Sequence, residues 1–133
     1  MTVERLDHVN IITDRLTETA RFYAELLDLE ERDGPPPLPP HQVRWMYDHA
    51  GNAILHLNSV DCPRAFDRAV MPGAETGAIH HVALRCGAFD VVKARLDAHG
   101  AEYRVNDIPS IGLRQIFTAD PNNVLLELNF FGD

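Results

Sequence analysis

Three histidines and one glutamate stand at places this chain repeats. His81 follows His8 by 73 residues, and Glu127 follows His56 by 71. The segments around them repeat too. Arg5 to Ile12 is a weaker copy of Ala78 to Arg85, and Ala53 to Asn58 is echoed by Val124 to Asn129. Imidazole nitrogen and carboxylate oxygen are the common ligands of divalent iron, nickel, zinc and manganese. A lone histidine in a strand, or a glutamate between leucines, is ordinarily a solvated residue. Four such groups at repeat-related positions are not needed for packing. The spacing therefore points to a divalent metal ion held by His8, His56, His81 and Glu127.

Those four residues need elements to position them. Leu6 to Thr13 alternates in type and predicts a strand. Leu16, Ala20, Tyr23 and Leu27 recur at helical spacing, so residues 15–27 predict an amphipathic helix, with Thr13 or Asp14 able to cap it. Leu29 to Arg32 is a short candidate strand. Asp33 to Gln42 contains five prolines, which exclude helix and central strand because each removes a backbone donor. That stretch is either a connector or a wall beside a pocket. Val43 to Asp48 and Ala53 to Val60 predict two strands joined by a turn at Ala50 to Asn52. Residues 61–77 form a linker, with one helical turn near Ala65.

The second copy opens with a strand over 79–86. Phe89, Val92 and Leu96 predict a helix that stops at Gly100. Strands over 102–106, 113–118 and 124–130 follow, the last two joined by a turn at Asp120 to Asn123. Each half reads as strand, helix, then three strands. The fold class is α+β: paired βαβββ modules forming a curved, half-closed eight-strand mixed sheet with helices on its convex face. The expected organisation is one domain over 1–133, with modules at 1–60 and 78–133 around the 61–77 linker.

Strand alternation decides which side chains share a face. In the last strand Leu126, Leu128 and Phe130 oppose Glu127 and Asn129; in the fourth, Leu55 and Leu57 oppose His56 and Asn58. Leucines toward the helices leave the polar groups on the concave side. By the same rule His80 points away from His81. His41, His49 and His99 fall in loops or at a helix end and are read as non-ligands. Arg85 and Arg114 are candidate contacts for an anionic substrate, or plain surface arginines. Trp45, Tyr47, Phe117 and Phe131 are candidates for a pocket lining, or core.

Composition narrows the partners. The net charge is −8, opposite to the basic face that nucleic acids and anionic membranes require. No apolar run approaches the ~20 residues of a membrane span, and Met1 to Arg5 lacks a signal-peptide core. Two cysteines, Cys62 and Cys86, suit a reducing compartment. The expected setting is cytoplasmic, with no nucleic acid and no membrane.

Asp7-His8-Val9, Arg21 to Leu27, His81 to Leu84 and Asp120 to Leu128 together resemble the vicinal oxygen chelate superfamily. It includes glyoxalase I, bleomycin-resistance proteins and extradiol dioxygenases. The resemblance spans essentially the whole chain. It implies paired βαβββ modules, metal ligands on the first and last strands of each, a small substrate with vicinal oxygens, and a homodimer. It places the ligands at His8, His56, His81 and Glu127, and catalytic roles at His56 and Glu127. The chain departs from bacterial glyoxalase I, which carries glutamate where His56 stands.

Ligation by all four residues leaves two open positions on an octahedral ion, which suits glyoxalase-like lyase or isomerase chemistry. Ligation by His8, His81 and Glu127 alone leaves three, room for a catecholate and dioxygen on Fe(II), with His56 as an acid or base beside them. A third reading is a bleomycin-resistance-like binding protein without turnover.

Overall fold

The computed structural model describes residues 2–132. They divide into two compact units, one up to Gly73 and one from Ala74. In the first, β1 (Val9–Thr13) leads to α1 (Leu16–Leu27), then β2 (Glu30–Asp33), β3 (Val43–Tyr47) and β4 (Ala53–Ser59). In the second, β5 (Val82–Cys86) leads to α2 (Phe89–His99), then β6 (Tyr103–Ile108), β7 (Leu113–Ala119) and β8 (Leu125–Phe131). A single 3-10 turn at Pro109–Ile111 joins β6 to β7; no periodicity in the sequence announces it. The linker carries no helical turn near Ala65.

Each unit holds a four-stranded mixed sheet of the same topology, β1-β4-β3-β2 and β5-β8-β7-β6. The first and last strands of each module run parallel, and the other pairs antiparallel. This is the α+β, paired βαβββ fold that the repeat predicts. Among the described residues no helix is long and apolar enough to cross a membrane.

The repeat extends to the turns that set strand register. Asp48 Oδ1 accepts from Ala50 N–H at 3.0 Å and Asn52 N–H at 2.9 Å. Asp120 Oδ1 accepts from Asn122 N–H at 2.7 Å and Val124 N–H at 2.9 Å. Both turns pass through a left-handed residue, Gly51 (φ 87) and Asn123 (φ 64), which glycine and asparagine tolerate best. An aspartate that bonds backbone two and four residues on locks the hairpin. Register decides which residues of β4 and β8 face which way, so these aspartates position His56 and Glu127 from a distance.

One side of each sheet is covered by its helix. In the first unit Leu55, Leu57 and Met46 are buried with Ala20, Tyr23 and Leu26 of α1. In the second, Ile116, Leu126 and Leu128 are buried with Val92 and Leu96 of α2, and Phe89 meets Phe130 edge-to-face at 5.3 Å. Burying each of these leucine, isoleucine, valine, methionine and phenylalanine side chains stabilises the fold by roughly 1.5–3 kcal/mol. Alternation then sends His56, Asn58, Glu127 and Asn129 to the opposite face.

Candidate metal centre

Register brings the expected ligands together as two pairs, one in each unit. In the first, Asn10 of β1 lies directly opposite His56 of β4, and His8 precedes β1 by one residue. The His8 and His56 rings stack at 3.7 Å with a 13° angle between planes. In the second, Ala83 of β5 lies opposite Glu127 of β8, and His81 precedes β5 by one residue. His81 Nε2 stands 3.7 Å from Glu127 Oε1. His8 and His81, expected inside strands, sit just before one, where alternation no longer governs direction. Among the described residues, no preformed group of three or more His, Cys, Asp or Glu side chains surrounds an ion position.

Three of the four side chains have one polar atom already hydrogen-bonded, and the fourth, His56, is held by ring stacking. His8 Nδ1 donates to Asp7 Oδ2 at 2.6 Å, which directs its Nε2 lone pair outward, the usual carboxylate–histidine arrangement behind a metal ligand. That hydrogen bond is also the first cause holding the exposed Asp7 carboxyl below its ordinary pKa. His81 Nδ1 meets His80 Nδ1 at 2.9 Å. His80 therefore does not point away from His81; it engages its neighbour's ring, because the two residues lie ahead of β5 in irregular backbone. Glu127 Oε2 accepts from Asn129 Nδ2 at 2.9 Å, leaving Oε1 on the His81 side. Burial, then the charge of His8, lowers the pKa of His56, which favours the neutral ring that ligation or base chemistry requires. Within each unit the pair is of a donor type that suits a divalent ion: two imidazoles in the first, an imidazole and a carboxylate in the second.

Aromatic rings stand beside both second ligands. Trp45 of β3 is in register with His56 and stacks on it at 3.9 Å and 7°, so His56 is clamped between Trp45 and His8. Phe117 of β7 is in register with Glu127. Tyr47 instead lies under the Arg32 guanidinium at 4.3 Å, and Phe131, 46% exposed, under Arg85 at 4.2 Å. Arg114 is opposite Phe130 on the helix side of its sheet and stacks over Phe89 at 3.9 Å, which turns it away from the Glu127 face. Gly34, where the proline-rich loop begins, packs on the Trp45 side. A Cβ there would come within 2.5 Å of Val43 Cγ1 and 3.7 Å of Trp45 Nε1. The close fit leaves room for no side chain larger than glycine's at the start of the loop. Asp7, Gln115 and the side-chain amide of Asn129 join these groups without any periodicity in the sequence that marks them. Only the adjacency of Asp7 to His8 hints at the first.

The profile of the Glyoxalase/Bleomycin resistance protein/Dioxygenase superfamily matches residues 5–128, and the chain belongs to that superfamily. Solved structures share its fold at low identity. A glyoxalase/dioxygenase from Nostoc punctiforme is similar at TM-score 0.72 and 17% identity, covering 99% of this chain and 94% of that one. A lactoylglutathione lyase from Agrobacterium tumefaciens is similar at TM-score 0.64 and 19% identity, over 98% and 96% of the two chains. The fosfomycin resistance protein FosX from Listeria monocytogenes is similar at TM-score 0.67 and 17% identity, also over 98% and 96%. No curated protein matches the sequence.

Proposed function

We propose that this protein is a divalent-metal-dependent enzyme acting on a small organic substrate with two neighbouring oxygens, in the glyoxalase-like lyase or isomerase class. Its ligands are His8, His56, His81 and Glu127, one pair supplied by each module, with both modules in one chain or in two chains of a homodimer. The observation that carries this reading is the state of the four side chains. Each has one polar atom engaged or its charge suppressed, and each keeps one donor atom free. Side chains that merely face solvent have no need of such backing, which here recurs at His8, His81 and Glu127.

A bound divalent ion supplies Lewis-acid polarisation of two adjacent oxygens. The protein's own groups do the rest. Asp7, whose carboxylate only accepts, holds the tautomer of His8, and His80 engages Nδ1 of His81. Trp45 and Phe117 flank the ligands with apolar surface, which excludes water and favours a planar substrate. Glu127 supplies the one negative charge among the donors.

A second reading follows from His56. Its ring is stacked on both faces and its pKa is lowered, which also suits a base standing off the ion. In that case His8, His81 and Glu127 alone are ligands, and the class is Fe(II) ring-cleaving dioxygenation of a catechol. Anaerobic purification, metal analysis and oxygen uptake with catechols separate the two. Nickel, zinc or manganese without uptake supports the lyase or isomerase class; iron with uptake supports the dioxygenase. Protein that binds no divalent ion is instead a binding protein without turnover.

A further inference from the structure

On the face of the second sheet that carries Glu127, three amides form a row across β6, β7 and β8. Asn106 Nδ2 donates to Gln115 Oε1 at 2.8 Å, and Gln115 Nε2 to Asn129 Oδ1 at 3.0 Å. Asn129 Nδ2 then donates to Glu127 Oε2 at 2.9 Å. The row follows from register, which pairs Asn106 with Gln115 and Gln115 with Asn129. Its direction follows from charge. An ionised carboxylate only accepts hydrogen bonds, so Asn129 must turn its amino group to Glu127 and its carbonyl to Gln115. That choice orients Gln115, and Gln115 orients Asn106. Gln115 is only 9% exposed, so an unmade bond there costs its full desolvation.

The first module is an internal comparison. Asn58 lies two residues after His56, as Asn129 lies two residues after Glu127. Its neighbour on β3 is Val43 rather than a glutamine. Asn58 accepts from Asn10 and donates to Cys62 Sγ at 3.4 Å, so its amide turns to Cys62 and not to His56. The directed row is built behind the anionic member of the set.

We propose that Asn129, backed by Gln115 and Asn106, is a positioning residue for Glu127. It holds Oε2, so that Oε1 alone is presented beside His81 Nε2 as a single-oxygen metal ligand. This rests on the metal reading above. The test uses Co2+ alone, added to the metal-free full chain, with affinity from calorimetry and geometry from the visible spectrum of the loaded protein. Asn129→Ala and Gln115→Met, the latter close to glutamine in volume, should each weaken Co2+ binding about 10–100-fold and alter the spectrum. Asn58→Ala, the equivalent change in the first module, should alter neither. Affinities are taken at a temperature where thermal melts show each metal-free variant folded. If Asn129→Ala does not fold, Gln115→Met decides. Wild-type affinity and spectrum in the Asn129 and Gln115 variants, with Glu127→Gln still weakened, overturn the positioning role alone, as does an equal loss in Asn58→Ala. Failure of the wild type to bind Co2+, or unchanged binding by Glu127→Gln, overturns the metal reading and this inference together.

Discussion

Strand β8 carries two kinds of residue in alternation, and adjacent substitutions separate them. Leu128 is fully buried, between Leu84 of β5 and Ile116 of β7 in register, and among the residues α2 covers. Leu128→Ala removes three carbons. At about 0.8 kcal/mol each the transfer cost is roughly 2.4 kcal/mol, and the cavity left behind raises the total to about 3–4 kcal/mol. At this chain length that lowers Tm by roughly 10 °C. Glu127 faces the other way, so Glu127→Gln should change the stability of metal-free protein by less than about 1 kcal/mol. Urea unfolding followed by circular dichroism in the presence of a chelator measures both. Near-equal costs, or a loss below about 1 kcal/mol for Leu128→Ala, would refute the assignment of faces on which the site depends.

Trp45 is the chain's one tryptophan and stacks on His56, so its fluorescence reports that ring. Protonated imidazole quenches stacked indole, and the quenching midpoint should lie below the ordinary histidine pKa of about 6.5, because burial disfavours the charged ring. The depressed pKa also means that the His56 contribution to stability is present above about pH 6.5 and is lost as pH falls through the folded value. A midpoint at or above 6.5 would contradict the burial argument. Burial pushes the Cys86 thiol up to about 11; its alkylation in folded protein should rise with a midpoint near that value, and near 9 in urea. Fast alkylation of folded protein at pH 8 would show that Cys86 is not sheltered.

The fold is legible in the sequence because the module is written twice. A two-residue period in Leu55 to Asn58 and Leu126 to Asn129 assigns faces without knowing any partner strand. The same period puts His56 and Glu127 on polar faces, where the structure has them. It gives the wrong direction for His80, because β5 begins only at Val82 and irregular backbone lets His80 turn onto His81. The amide row behind Glu127 is invisible in one dimension. Asn106, Gln115 and Asn129 are far apart in sequence and become neighbours only through the registers of β6, β7 and β8. The stack of Trp45 on His56 likewise depends on the β3–β4 register, which shifts between Met46 and Tyr47. Local pattern is thus readable, and cross-strand chemistry is not.

The central claim is that Glu127 supplies the only anionic ligand to a divalent ion. Calorimetric titration of metal-free wild type and Glu127→Gln with Ni2+, Zn2+, Mn2+ and, anaerobically, Fe2+ tests it directly. Wild type should bind one ion per chain, and Glu127→Gln should bind it at least about tenfold more weakly. Equal affinity in the two proteins, or no binding by wild type, would contradict it.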